Sequence, residues 1–198
     1  TKLIPAPGQA SVSVWINAQR HQGPGGAWQG ILGKGGDPRL YNIYTHESQT
    51  LHFSTGPSGA YIGSNSTGTV PLNEWVHVVA VVNNSHQYYI NGAPAGTFAN
   101  GATVTAGGTA VLTIGQTGAG ESNYFLGEIE ERRVYDVALT ADEVTQLFLG
   151  NPPSWPKAKR PTPADDAIGV AFTLLQWVAG DGAVLHNVYF GTSPDLTE

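Results

Sequence analysis

The 198-residue chain contains no cysteine and no methionine. Without cysteine there are no disulfides, no thiolate metal sites and no thiol nucleophile, so a packed core has to supply the stability. A sandwich of about 150 residues buries roughly 68–70% of its unfolded surface and folds without staples. Charge is scarce as well: Asp, Glu, Lys and Arg make up 12% of the chain, about half the usual share of roughly 25%. The net charge of −6 argues against nucleic-acid binding, which asks for a basic patch. Long apolar runs are missing, and none approaches the ~18 residues of a membrane-spanning helix. The chain opens on Thr1 rather than Met, as expected of a processed or excised chain.

What is present is a series of short runs separated by turns. In SVSVWINA, Val12, Val14 and Ile16 share one face, and Ser13, Trp15 and Asn17 the other. RLYNIYT and TLHFSTG read as the next two strands, split by the polar HESQ. WVHVVAVV is apolar on both faces, as a strand buried inside a sandwich should be. HQYYI follows the turn NNS and runs into Asn91-Gly92, a two-residue hairpin signal. AVLTIG and FLGEIEERRVY complete an antiparallel sandwich or barrel. Trp15 and Trp75 are read as core or second-layer residues. One helix is predicted in LTADEVTQLFLG. Thr140 is its N-cap, Glu143 completes a capping box, Val144, Leu147 and Phe148 form an apolar stripe, and Gly150 ends it.

Residues 151–166, NPPSWPKAKRPTPADD, hold five of the thirteen prolines and read as an extended, semi-rigid connector. Beyond it, FTLLQWVAG and AVLHNVYFGTS read as two further strands. Two strands without a core are marginal in water, so residues 167–198 need a partner surface.

The order of SVSVWINA, GILGKGG, YNIYT, LHFSTG, NEWVHVVAVVNNSHQYYINGAPAG, LTIG and FLGEIEERRVYDVALTADEVTQL resembles a LamG-like jelly-roll domain of the concanavalin A-like lectin/glucanase superfamily. The resemblance covers residues 8–150 and makes 1–150 one domain. It implies an all-β fold, a two-sheet antiparallel jelly-roll sandwich with one short C-terminal helix. It also implies a secreted or cell-surface recognition and adhesion module with a glycan or extracellular protein as partner. Where such domains bind calcium, an acidic residue and loop groups serve as ligands, which brings forward Glu130 with Asp37 and Asn123. The tail from Pro161 to Asp195 resembles the opening third of a fibronectin type III-like module.

GEIEERRVY poses the question of catalysis. Strict alternation sets Glu128, Glu130, Arg132 and Val134 on one face, and Ile129, Glu131, Arg133 and Tyr135 on the other. Glucanases of the resembled superfamily use a carboxylate row of the type Glu-x-Asp-x-Glu, whereas Arg132 stands at the third position here. Arginine neighbours favour ionised, ion-paired carboxylates over a general acid of raised pKa. The expectation is therefore a non-catalytic module. Sugar binding asks for aromatic faces beside polar groups, and Trp28, Tyr41, Tyr44, Tyr61 and Tyr124 are the residues proposed for it. His46 and His52 meet across a hairpin on this reading, as ordinary strand residues. A second expectation is structural. Val184, His186, Val188 and Phe190 share one face of a strand that a neighbouring copy could accept along its open edge beside 127–135. Such a contact is head-to-tail and builds a filament.

Overall fold

The computed structural model describes residues 8–104, 110–118, 122–151, 159–162 and 176–178. The chain divides into two compact units, Thr1–Asn151 and Pro152–Glu198. The first contains β1 (Gln9–Ala18), β2 (Trp28–Lys34), β3 (Arg39–His46), β4 (Thr50–Gly56), β5 (Ile62–Thr69), β6 (Trp75–Asn83), β7 (His86–Ile90), β8 (Ala93–Phe98), β9 (Leu112–Ile114), β10 (Gly127–Tyr135) and the helix α1 (Ala141–Phe148). Two five-stranded antiparallel sheets form the sandwich expected from the sequence. Sheet I runs β10-β1-β6-β7-β8 and sheet II runs β5-β4-β3-β2-β9.

The core follows from period-two patterning. Val12, Val14 and Ile16 of β1 lie opposite Ala80, Val78 and Val76 of β6. These residues form one buried cluster with Ile31, Tyr41, Ile43, Leu51 and Phe53 of sheet II. Each such aliphatic or aromatic side chain contributes roughly 1.5–3 kcal/mol on full burial. The outward face of β6 is also covered: the His77 ring lies tilted against Trp15 at 5.2 Å and against Phe148 of α1 at 6.1 Å, and Val79 and Val81 are buried as well. That cover explains why β6 is apolar on both sides. Helix α1 has the capping box read from the sequence: Thr140 Oγ1 accepts from the Glu143 amide, and the Glu143 carboxylate accepts from the Thr140 amide. Gly150, at φ 82°, follows the helix in the left-handed region.

Three expectations are corrected. The strict alternation through GEIEERRVY is broken by a bulge in β10, where Ser13 pairs with Arg133 but Trp15 pairs with Glu130. Glu131 adopts φ 47° there, so Ile129 and Val134, assigned opposite faces, both pack on the core. Trp75, expected inside, is 38% exposed at the start of β6. Tyr41, expected to face a ligand, is fully buried in the core. In the second unit, β11 (Lys159–Thr162) lies within the expected connector and pairs with β12 (Gln176–Val178). Proline's fixed φ suits extended backbone, which lets Pro161 sit in such a strand. The positions Val184, His186, Val188 and Phe190 lie outside the described residues. Among the described residues no helix is long and apolar enough to cross a membrane.

Candidate functional site

The outward face of sheet II gathers the chain's aromatic and polar side chains into rows. The backbone register aligns Gly30, Tyr44, His52 and Asn65 across β2, β3, β4 and β5. A second row holds Gly33, Asn42, Ser54 and Gly63, and Trp28 pairs with His46 at the sheet's end. Alternation produces this face because Leu51 and Phe53 of β4 enter the core, which leaves His52 between them on the other side.

Two glycines let a loop settle on that face. A Cβ on Gly33 would stand 2.5 Å from the Thr117 carbonyl oxygen, and one on Gly30 2.9 Å from the Thr117 nitrogen. The segments 115–118 and 122–124 therefore lie directly against β2. They are tied there by Gly115 N–H to Ile31 O and Gly30 N–H to Asn123 O, at 2.8 and 2.7 Å. Between this wall and the aromatic side chains opens a pocket of about 130 Å³ lined by Trp28, Arg39, Tyr44, His52 and Asn123. It is smaller than the roughly 300–1,000 Å³ of sites that enclose a drug-sized ligand. Its size suits part of a ligand, such as one sugar ring.

Trp28 is 44% exposed, and its ring lies 5.4 Å from His46 and 5.8 Å from His52. Tyr44 stands edge-on to His52 at 5.5 Å. Buried Asn42 fixes Tyr44 from below, donating Nδ2–H to the Tyr44 hydroxyl and to Gly35 O while Oδ1 accepts from the Lys34 amide. His52 Nδ1 lies 2.6 Å from Asn65 Oδ1, which can only accept, so the proton is assigned to Nδ1 and Nε2 is an acceptor. Burial pushes His52 down to about 4, leaving it neutral at neutral pH. Gly63 makes room for the ring, since a Cβ there would stand 2.9 Å from His52 Cε1.

The rim holds the next cluster. Tyr61 and Ser58 hydroxyls donate to the two oxygens of Asp37, Ser58 at 2.8 Å, and the Tyr61 bond leads in holding that carboxyl below its usual range. The Arg39 guanidinium lies 4.1 Å above the Tyr61 ring. Arg39 donates to Gly36 O at 3.3 Å and to Ser54 Oγ at 3.1 Å.

The structure therefore brings Trp28, Tyr44 and Asn123 into one pocket and sets Tyr61 and Asp37 on its rim. Tyr124 is 53% exposed, bridged to Gly30 beside the pocket wall, and its carbonyl accepts from Arg20. Tyr41 points the opposite way. Glu130 lies on β10 of sheet I, opposite Trp15. Calcium takes six to eight oxygen ligands, and Asp37, Asn123 and Glu130 do not form one such site: Glu130 is on β10 of sheet I, whereas Asn123 is tied to Gly30 of sheet II. Among the described residues no group of three His, Asp or Glu is placed to hold a metal. Glu131 forms an ion pair with Arg133 at 2.9 Å, and Glu128 accepts from Asn17, so these carboxylates of GEIEERRVY have structural partners.

Arg39 and His52 were missed as pocket residues. His52 had its signal in the alternation of TLHFSTG. Arg39 did not, because β3 is irregular between Arg39 and Asn42. Leu40 and Tyr41 both enter the core there, which reverses the phase that alternation assigns to Arg39.

Among solved structures, domain 4 of AbnA, a GH43 extracellular arabinanase from Geobacillus stearothermophilus in complex with arabinotriose, is similar at TM-score 0.58 and 24% identity, covering 73% of this chain and 68% of that one. The native heptameric SAP-like pentraxin of Limulus polyphemus is similar at TM-score 0.56 and 23% identity, over 75% of this chain and 73% of that one. A botulinum neurotoxin type C structure, whose cell entry depends on two ganglioside molecules, is similar at TM-score 0.50 and 15% identity, over 77% of this chain and 38% of that one. At these identities the likeness is one of fold. Among curated proteins none matches the chain. The family model described as concanavalin A-like lectin/glucanases superfamily matches residues 2–145, and the chain belongs to that superfamily.

Proposed function

We propose that the sandwich is a non-catalytic glycan-recognition module, secreted or displayed at the cell surface, with the outward face of sheet II as its binding face. One observation carries the reading: a half-exposed indole, Trp28, stands beside Tyr44, His52 and Asn123 at a pocket the size of a sugar ring. An indole offers an apolar face to the C–H side of a sugar, while Asn and a neutral histidine offer the donors and acceptors that orient hydroxyls. The superfamily contains lectins, and similar folds occur in a structure with bound arabinotriose and in a ganglioside-dependent toxin. The non-catalytic part rests on two points. Among the described residues the pocket lining includes no carboxylate, and glycoside hydrolysis ordinarily uses a pair of them. The glutamates of GEIEERRVY belong to the other sheet.

The test is tryptophan-fluorescence and calorimetric titration of the 198-residue chain with an oligosaccharide panel that includes arabinotriose. Trp28→Ala should weaken any sugar bound by about ten-fold or more, since stacking and burial of one sugar face on an aromatic ring contribute at least ~1.4 kcal/mol. A sugar that binds Trp28→Ala as well as the unaltered chain would place recognition elsewhere and sink the reading.

The alternative, head-to-tail assembly by strand addition, draws on β10 being the outermost strand of sheet I among the described residues. That edge carries a bulge at Glu131 and the charges of Glu128, Glu130, Arg132 and Arg133. Both features are ways in which natural sheets block edge pairing, so recognition is the reading carried forward.

A further inference from the structure

We infer that the pocket selects an acidic sugar, one whose carboxylate pairs with Arg39 while a ring face lies against Trp28. The inference rests on the glycan-recognition reading and narrows its ligand class.

The argument starts from charge. The chain carries fifteen acidic against nine basic residues, a net of −6, yet among the described residues the pocket lining includes one cation and no acid. A guanidinium brought partly out of water ordinarily finds a carboxylate. Arg39 is half-buried, but among the described residues the ion pair present is Arg133–Glu131, and Arg39 forms none. Asp37, two residues away, forms no ion pair with it: its two oxygens accept from Tyr61 and Ser58, and the Arg39 charge acts on that carboxyl without direct contact.

Arg39 is also held in place. The Tyr61 ring supports one face of the guanidinium, and the bonds to Gly36 O and Ser54 Oγ use its Nε and one Nη1 hydrogen. Of the five N–H donors of an arginine, two are committed and three remain. A planar fork with uncommitted donors is matched to a planar carboxylate, and such pairs are short and charge-assisted. The neighbouring His52 stays neutral and, through Nε2, accepts a hydroxyl rather than competing for the anion. Around a neutral sugar, the same arginine would lose water from its three uncommitted donors with no carboxylate in direct contact to replace it.

Calorimetry on the 198-residue chain tests this with matched pairs: trigalacturonate against carboxyl-reduced galactotriose, and sialyllactose against lactose, with sulfated lactose as a third arm. At least one carboxylated sugar should bind about ten-fold tighter than its neutral counterpart, with the advantage shrinking as salt is raised. Arg39→Gln should bring that sugar down to the neutral level, and Arg39→Lys should recover part of the difference through charge without the fork. The matched-sugar comparison on the unaltered chain needs no variant, so it decides even if Arg39 substitutions unfold the protein. Neutral and acidic sugars bound equally, and both lost in Trp28→Ala, would overturn the acidic ligand while leaving glycan recognition standing. Sulfated lactose binding as tightly as the best carboxylated sugar would overturn the carboxylate assignment. Binding of no sugar at all would remove both readings together.

Discussion

Gly33→Ala is the substitution that most directly tests how the pocket wall is built. The added methyl would sit 2.5 Å from the Thr117 carbonyl oxygen, 2.7 Å from Thr117 Cα and 2.7 Å from Asn42 Oδ1. Ordinary contact begins near 3.4 Å, so the loop backbone has to retreat by about 0.7–0.9 Å. Two of the three obstacles are main chain, which cannot rotate away, and the third is the buried amide that fixes Tyr44. Overpacking of this kind costs about 1–3 kcal/mol. In a unit of this size each kcal/mol lowers the melting temperature by about 2–4 °C, giving a fall of about 2–12 °C. Differential scanning calorimetry measures it. Gly59→Ala is the comparison, since that position has φ 72° but no atom within 4 Å of an added Cβ, and it reports backbone strain without collision. If Gly33→Ala melts within a degree of the unaltered chain, segment 115–118 does not rest on β2 and the pocket lacks that wall.

Two predictions concern the opposite face and the interior. His77 and His86 are 0% and 1% exposed, and burial pushes each from 6.5 down to about 4. The folded values lie below the unfolded one, so the unfolded chain binds more protons between these limits. The stability held by neutral histidines is intact above pH 6.5 and drains as pH falls toward about 4, by roughly 3 kcal/mol for each residue. Urea unfolding followed across that window reads the slope, and a flat profile would contradict the burial. Thr140→Ala removes the helix cap and should cost about 1 kcal/mol, a fall of about 2–4 °C. Thr140→Ser should restore it, and an unchanged melting point in the alanine variant would mean that α1 is held by Phe148 on Trp15 alone.

Much of the sandwich was legible because its signals are local. Val12, Val14 and Ile16 declare an inward face by alternation, Asn91-Gly92 declares its hairpin through left-handed backbone at both residues, and Thr140 with Glu143 declares the helix start. Strand β5, IGSNSTGT, gave no such signal, since its hydrogen bonds come from a neighbour and its side chains are mostly small and polar. The same holds for Trp28. Its exposure was legible from the surrounding glycines, but its place at the head of β2 depends on pairing with His46.

The carboxylates of GEIEERRVY and the guanidinium of Arg39 show where local reading stops. A bulge adds one residue to one strand and inverts the faces of everything beyond it. Nothing in the residues themselves fixes that insertion; it arises from how two strands settle against each other and against the core. The sequence by itself determined the alternating strands, the hairpin, the capped helix and the want of any covalent staple, because each depends on residues within a few positions. Tertiary structure alone decided that Tyr41 turns inward, that Arg39 turns outward, and that a loop more than eighty residues further along closes on Gly30 and Gly33. Those outcomes depend on strand register and on the space a missing side chain leaves for distant backbone, and neither is written in the neighbouring residues.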